Sequence, residues 1–477
     1  MPTMIRWLRR GWPVLLAGAL AGGCNANGNG ADSALDAVAD DAARDAAETG
    51  PEVEVAPDAE DSFDAADGAD VPPPDVHGRL ETGGELPILY LWGTREEIGY
   101  AEGALLCGHI TRFFTRYVLD HAVRNSGYDY ATVSALVRLM HRFPEGDLAE
   151  LEAMIRGMRD HCPPADRIIE SENLEPSAGG RREITVEDLE VGHALPDFLC
   201  SSLTAWGAAS ATGNTIHARN LDFLYDPGGV FLDEHLIKVY DSRDEGARFL
   251  SVAVPGLAGC ISCFGEDGTG VTIHNADGPE TLDDRVPRIL TARAALVAAL
   301  TAAGDPVDAA EAVVEACPQQ MGDNFHFSFP CPAAGCTGGV VFELDGDSSH
   351  PDGQVTVRRA GEFTGGVASP DAIACTNHYL KRAAPAPDGR STYVRLQTLA
   401  DALNAAAEHG GIDVAGALAA MAATAQQTSS ILTVHTTIMD HASSTLRVYV
   451  AESVAATSPN DPTPAVLHLP TLFAGLP

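Results

Sequence analysis

The order of apolar and polar positions divides the chain into a helical part and a later part that mixes strands with helices. Apolar residues at near-helical spacing predict helices over residues 96–118, 130–142 and 148–161, after one short strand over 87–92. Residues 86–199 are therefore predicted to form a mostly helical region.

From residue 200 onward, short alternating runs replace the helical spacing. The apolar run 200–207, a Gly-Asn turn within 211–214 and the alternating run 215–223 predict a β-hairpin. Further strands are predicted at 235–240, 248–254, 270–274, 339–344, 354–359, 372–376, 431–439 and 445–451. Helical patterns separate these groups of strands at 286–303, 307–316, 391–409 and 413–424. This order predicts an α+β fold in which two sheets are sandwiched between helix layers.

The first residues have the features of an export signal. Three arginines lie among the first ten residues, and the apolar run that follows is too short to span a bilayer. Small residues before Cys24 are similar to the lipobox of bacterial lipoproteins, in which that cysteine is lipidated. We therefore predict a lipoprotein signal peptide over residues 1–23 and an exported, lipid-anchored bacterial protein that faces the periplasm or the cell exterior. A simple secretory peptide with an incidental Cys24 is the alternative.

The charge of the chain is concentrated behind this signal. The formal net charge of the 477 residues is -37, and residues 25–78 alone carry fifteen acidic residues against one arginine. Residues 24–85 are rich in Ala, Asp, Gly and Pro, so they bury too little apolar surface to offset the entropy of ordering. We predict a disordered acidic tether there. Basic residues form no cluster, which argues against a nucleic-acid partner.

Export implies an oxidising compartment for the ten cysteines. Apart from Cys24 and Cys200, eight remain, which allows up to four disulfides without fixing their pairing. Cys260 and Cys263 have CxxC spacing, but no second pair or thioredoxin-like context accompanies them, so a structural role is favoured over a zinc or redox site. The histidines show no ligand spacing, and we predict neither a metal nor a cofactor.

Cys200 stands where the predicted hairpin begins, and Arg219 and Asp222 stand near its end. The hairpin can bring the thiol, the cation and the carboxylate together. A free thiol has a pKa of roughly 8.5 and needs activation by a base or a cation. If the Leu199–Cys200 bond were cut, the new α-amine of Cys200, with a pKa of about 7.7–8.0, could serve as that base. A buried structural cysteine beside an ordinary Arg219–Asp222 ion pair is the alternative.

Several short motifs follow one another in a recognisable order. They are Gly99–Gly103, Cys200–Ser202, Arg219–Phe223, Gly270–Asn275, Thr376–Tyr379, and Thr436–Asp440 with Thr445–Val448. Over residues 86–455 the chain resembles the isopenicillin-N acyltransferase-like group of N-terminal-nucleophile (Ntn) hydrolases, the C45 autoproteolytic acyltransferases and hydrolases. More distant relatives of that group are acid ceramidases, conjugated bile-acid hydrolases and phospholipase-B-like proteins.

The resemblance implies a division of the chain and a self-cleavage site. An Ntn-type αββα sandwich over residues 200–477 would follow a helical propeptide over 86–199. Cleavage would fall between Leu199 and Cys200. Leu199 differs from the small residue that the penicillin acyltransferase has at this position.

The resemblance also implies site residues. Cys200 would be the nucleophile, and Arg219 would support the charge near the thiolate. Asp222 would form a hydrogen bond with the new amine or with the thiol. Asn377 would donate its side-chain amide to the oxyanion, and Asn275 would line the pocket.

The implied function is that of a self-processing cysteine hydrolase or acyltransferase. It would act on the C–N bond of a small acyl amide through a thioester on Cys200. The identity of the amide stays open, and loops around residues 223–231 and 320–332 are expected to shape its pocket. The alternative is a non-catalytic, lipid-anchored binding protein that uses the same fold.

Overall fold

The computed structural model describes residues 73–477 except 175–178, 195–198, 277, 279–284, 318–321, 334, 348, 383–389 and 461–462. The predicted signal peptide, the lipidation site at Cys24 and most of the predicted tether lie outside the described residues. The end of that tether carries strand β1, Gly78–Glu81. Within the described ranges, no helix is both long enough and apolar enough to cross a membrane.

Two large sheets form the centre of the protein. The nine-stranded sheet contains, in spatial order, β1 (Gly78–Glu81), β2 (Ile88–Gly93), β7 (Leu236–Ser242), β8 (Ala247–Ala253), β9 (Ser262–Gly265), β10 (Gly270–Asn275), β11 (Asp323–Ser328), β12 (Gly339–Leu344) and β13 (Val355–Arg359). The six-stranded sheet contains β14 (Ala372–Cys375), β5 (Leu199–Ala205), β6 (Ile216–Leu224), β15 (Ile431–Asp440), β16 (Thr445–Val450) and β17 (Ala465–His468). A small hairpin of β3 (Ile168–Glu170) and β4 (Arg181–Glu183) lies apart from both.

Helices cover the outer faces of the two sheets. The longer ones are α1 (Arg95–Phe113), α2 (Tyr130–Met140), α3 (Glu145–His161), α4 (Val186–Ala194), α5 (Arg288–Thr301), α6 (Pro306–Ala316), α7 (Arg390–Glu408) and α8 (Val414–Thr424). Helices α7 and α8 pack on the six-stranded sheet, whereas α5 and α6 pack on the nine-stranded one. The predicted αββα sandwich is therefore confirmed.

The predicted boundary at residue 200 does not divide the large sheet. Strand β2 pairs in parallel with β7, with Ile88 opposite Ile237. Beneath this junction, the ammonium of Lys238 donates to Glu102 of α1 at 2.5 Å, and neither side chain is exposed. The region before residue 200 thus shares both a sheet and a buried ion pair with the region after it.

Helix α1 also differs from its prediction at its end. It begins at a Thr94 capping box and passes at Phe113 into a π-helical segment, Phe114–Val123, instead of continuing as an α-helix to residue 118. The hydroxyl of Tyr117, in this segment, donates to the carbonyl oxygen of Leu224 at the end of β6 at 2.8 Å. The segment therefore anchors the helical region to the strand that carries Arg219 and Asp222.

The Gly99–Gly103 motif has a packing explanation. A Cβ atom at Gly99 would lie 2.0 Å from the carbonyl oxygen of Glu150, and one at Gly103 would lie 1.9 Å from that of Met154. Both oxygens belong to α3, so the backbones of α1 and α3 touch along these glycines. Side chains at these positions would force the helices apart.

Gly103→Ala is therefore expected to destabilise the fold by about 1–3 kcal/mol, the usual range for overpacking. Urea denaturation should show a lower midpoint. Gly108→Ala is the matched control, because Gly108 lies on the same helix and nothing lies within 4 Å of its notional Cβ. That variant should match or exceed the wild type, since alanine favours helix by roughly 0.5–1 kcal/mol. Equal midpoints for the two variants would contradict the packing argument.

The described cysteines form fewer disulfides than the maximum of four. Cys260 pairs with Cys263, and Cys331 pairs with Cys336. The CxxC pair thus forms a disulfide whose two cysteines are fully buried. Free thiols remain at Cys107, Cys162, Cys200 and Cys375.

Candidate active site

Cys200 lies at the start of β5, in the middle of the sandwich, and its side chain is fully buried. The predicted hairpin forms, with Cys200 opposite Leu221 and Ser202 opposite Arg219 in antiparallel register. Arg219 shares the interior with Cys200, and its Nη2 donates to the Cys200 Sγ at 3.1 Å. The local alternation of the two strands is thus enough to join thiol and guanidinium.

The guanidinium of Arg219 has further acceptors around it. Its Nη1 donates to Ser262 Oγ at 2.7 Å and to His435 Nε2 at 3.0 Å, and its Nη2 also donates to the Ile273 carbonyl at 3.2 Å. These acceptors are neutral, so the cation is held in place without being neutralised. The positive charge remains available to a thiolate at Cys200.

Asn377 holds the backbone of the nucleophile. Its Oδ1 accepts from the Cys200 N–H at 2.8 Å and from Arg395 Nη2 at 2.8 Å, and its Nδ2 donates to the Asn275 carbonyl oxygen at 2.7 Å. Because an arginine can only donate, the amide oxygen must face Arg395. In the continuous chain, the predicted oxyanion donor therefore contacts the nitrogen side of the Leu199–Cys200 peptide bond.

Arg395 is a site residue that the sequence did not indicate. It projects from α7, is 4% exposed, and donates to the carbonyl oxygen of Cys200 through Nη1. The same nitrogen lies 3.5 Å from Asp222 Oδ2. Arg395 thus links three of the predicted residues, namely Cys200, Asn377 and Asp222.

Asp222 is fully buried, and it pairs with Leu199 in the hairpin, so its side chain lies on the side of Arg395, on the face of β6 opposite to the side chain of Arg219. The hydroxyl of Thr433 donates to its Oδ1, whereas its Oδ2 has no hydrogen-bond partner among the described residues. Complete burial raises the pKa of Asp222 to about 6, and the positive charge of Arg395 opposes this rise. A carboxylate with an oxygen that accepts no hydrogen bond and a pKa near neutrality is suited to accept a proton.

Burial also raises the pKa of the Cys200 thiol, to about 11 in the continuous chain. The charge of Arg219 opposes that rise, and the charge of Asp222 adds to it. The thiol is therefore protonated at neutral pH and needs a base at the moment of attack. The arrangement supplies a nucleophile, a candidate base and cations for developing negative charge.

Asn275 is placed at this site by its backbone. Its carbonyl oxygen accepts from Asn377, and its side-chain Oδ1 is buried without a partner among the described residues. Leu199 also contributes backbone, pairing with Asp222 in the hairpin register. The expected pocket loop over residues 320–332 instead contains β11, a fully buried strand inside the large sheet.

The residues missed by sequence reasoning are Arg395, Thr433, Ser262 and His435. They come from a helix and two strands far from Cys200 in the chain. Ser262 lies inside the CxxC pair, but that motif does not indicate a contact with Arg219. Among the described residues, no group of three or more histidines, cysteines or carboxylates is placed to bind a metal ion.

Comparison with known proteins adds distant structural likenesses. No family model and no curated protein matches the chain. A Caenorhabditis elegans ortholog of N-acylethanolamine-hydrolyzing acid amidase is similar in structure, with 16% sequence identity, a TM-score of 0.36, and coverage of 51% of this chain and 93% of that chain. A mutant of conjugated bile acid hydrolase from Clostridium perfringens is 11% identical, with a TM-score of 0.35 and coverage of 56% and 92%. A second variant of that hydrolase is 12% identical, with a TM-score of 0.35 and coverage of 57% and 93%.

Proposed function

We propose that the protein is a self-processing cysteine hydrolase or acyltransferase of the Ntn type that acts on a C–N amide bond. One observation carries the proposal: the Cys200 thiol, at the start of an inner strand, contacts the buried guanidinium of Arg219 at 3.1 Å. Asp222, Asn377 and Arg395 surround the same residue. The C45 resemblance of the motifs supports the same assignment.

Self-cleavage would begin with attack of the Cys200 sulfur on the carbonyl carbon of Leu199. Asp222 takes the thiol proton, the C–N bond breaks, and the nitrogen of Cys200 leaves as an amine after receiving a proton. The acyl group of Leu199 then forms a thioester on the sulfur. Water hydrolyses this thioester, which frees the thiol and leaves a carboxyl group on Leu199.

The same groups would then process an external amide. The new amine of Cys200 inherits the contact of its nitrogen with Asn377 Oδ1. It can remove the thiol proton, since an α-amine titrates at about 7.7–8.0. The sulfur attacks the substrate carbonyl, the amine part leaves, and water or an acceptor amine releases the acyl group.

Intact-mass spectrometry of the purified protein tests the proposal. Two polypeptides that meet between Leu199 and Cys200 are the expected result. A single continuous chain, with Cys200 inert to thiol reagents in the native protein, would instead favour the non-catalytic binding protein. The observation that favours this second function is the complete burial of Cys200 in the continuous chain, because a buried thiol is closed to an external substrate.

The rate of self-cleavage is expected to fall below about pH 6. Asp222 accepts the thiol proton only when ionised, and its pKa is about 6. Its ionised fraction therefore falls about tenfold per pH unit below that value. His235, with a pKa lowered to about 4 by burial, stays neutral over the same range. Uncut precursor would be refolded at several pH values between about 4.5 and 8. Samples quenched at timed intervals would give the rate of self-cleavage at each pH. A rate that stays constant or rises towards acid would count against Asp222 as the base.

We also propose that the protein is exported and anchored through a lipid on Cys24. The signal-like first residues support this, and so do the two disulfides, which are typical of exported proteins. Metabolic labelling with a radioactive fatty acid should mark the wild type, and Cys24→Ser should abolish the label. Equal labelling of both proteins would contradict lipidation at Cys24.

A further inference from the structure

On the Nη1 side of Arg219, two imidazoles continue the hydrogen bonds away from the thiol. His435 Nε2 lies 3.0 Å from Arg219 Nη1, and His435 Nδ1 lies 3.0 Å from His235 Nε2. His235 Nδ1 lies 2.7 Å from the carbonyl oxygen of Phe231. His435 is 1% exposed and His235 is 3% exposed. The result is a buried chain of hydrogen bonds from a backbone carbonyl to the guanidinium beside Cys200.

The two ends of this chain determine both tautomers. The Phe231 carbonyl can only accept, so Nδ1 of His235 carries the hydrogen and its Nε2 accepts. His435 must then donate from Nδ1, which leaves its Nε2 as an acceptor. Arg219, which can only donate, requires the same arrangement. Burial lowers the pKa of both histidines, so both imidazoles are neutral.

Ser262 completes the support of the guanidinium. Its Oγ accepts from Arg219 Nη1 at 2.7 Å and lies 3.0 Å from His435 Nε2. Ser262 lies between Cys260 and Cys263, whose disulfide closes the segment around it. Both acceptors of Nη1 are therefore held in place: His435 by its hydrogen bond to His235, and Ser262 by the disulfide that closes its segment.

The choice of neutral acceptors has an electrostatic consequence. Among the described residues, no carboxylate lies within salt-bridge distance of Arg219. An acidic acceptor would neutralise the guanidinium, whereas an imidazole orients it and leaves its charge available to the sulfur.

We propose that His435 is a positioning residue: oriented by His235, it aims Arg219 so that Nη2 faces the Cys200 sulfur. The orientation itself depends only on hydrogen bonds, whereas its effect on catalysis rests on the proposed function.

Titration of the Cys200 thiol tests the effect on the sulfur. In the processed protein, the rate of alkylation by iodoacetamide, followed by mass on the peptide that begins with Cys200, gives the thiol pKa. His435→Phe should raise that pKa by about one unit, which is tenfold less thiolate at a given pH. His435→Gln keeps an acceptor near the Nε2 position and should restore most of the thiolate.

His326→Phe is the matched control. His326 is also a fully buried, neutral histidine between the sheets, and it contacts Ser202 and Thr204 instead of Arg219. Its replacement should leave the titration of Cys200 unchanged. An unchanged titration in His435→Phe, or an equal shift in both Phe variants, would overturn the proposal.

A second measurement reads the hydrogen bonds without any need for cleavage or activity. Imidazole nitrogen NMR spectra of the full-length Cys200→Ala chain should show both His235 and His435 with hydrogen on Nδ1 and none on Nε2. Hydrogen on Nε2 of His435 would refute the proposed chain of hydrogen bonds even if the enzyme cleaves amides. If the tautomers are as expected but the wild-type protein neither cuts itself nor hydrolyses amides, the proposed function is refuted and the chain of hydrogen bonds is not.

Discussion

Replacing Cys200 with alanine is expected to leave one uncut chain that hydrolyses no amide. The variant lacks the sulfur that attacks both the Leu199 carbonyl and the substrate carbonyl in the proposed mechanism. The expected loss of amide hydrolysis is at least about a thousandfold, as for other nucleophiles removed from a catalytic unit. Intact mass would report self-cleavage, and amine release from a panel of N-acyl amino acids, acyl-homoserine lactones, ceramides and bile-acid amides would report activity.

Cys107→Ala is the control for this experiment. Cys107 is also a buried free thiol, but it lies on α1, where its Sγ faces the carbonyl oxygen of Asp166. Its replacement should leave cleavage between Leu199 and Cys200 intact. Full cleavage in Cys200→Ala would show that another group, or another protein, cuts the chain.

Arg219→Leu is expected to slow both self-cleavage and amide hydrolysis by about a hundredfold to a thousandfold, because it removes the cation 3.1 Å from the sulfur. The charge that develops in the buried site then has one donor fewer. The thiol pKa should also rise, because burial then acts on Cys200 without the opposing charge of Arg219. Single-turnover rates over a range of pH would separate a loss of thiolate from a loss of folded protein.

Arg219→Lys refines this result. A lysine retains the charge but presents a compact ammonium, which cannot reproduce the planar fork that contacts Ser262, His435 and the Cys200 sulfur together. We expect it to recover part of the lost rate at high pH and to remain below the wild type. A Leu variant as fast as the wild type would assign Arg219 a purely structural role.

The sandwich could be predicted from the sequence because most of its elements have clear local patterns. The hairpin from Cys200 to Phe223 combines alternation with a Gly-Asn turn, and α7 and α8 have helical spacing. Strand β11 was expected to be part of a pocket loop, although polar and apolar residues alternate from Asn324 to Ser328. All six of its residues are buried, so its polar side chains lie inside the protein instead of facing solvent, as alternation alone would suggest.

The site was predictable to the extent that local structure builds it. Register within one hairpin joins Cys200 to Arg219, and both were predicted. Arg395 reaches Cys200 from a helix nearly two hundred residues away, on a face whose spacing does not distinguish it from an ordinary solvated arginine. His435 looks like one buried residue of an inner strand. Only the complete fold brings these two side chains, one from a helix and one from a strand, to the two sides of the hairpin.

The parallel pairing of β2 with β7 has a consequence for the order of events in the cell. A chain that started at Cys200 would present β7 as an open edge, a known template for aggregation. Synthesis from the N-terminus instead makes the partner strand available before β7 emerges. Arg395, which holds the Cys200 carbonyl, is made later still, so scission is expected to wait until the polypeptide is nearly complete. The protein would thereby time its own maturation, with bond breakage as the signal that assembly has finished.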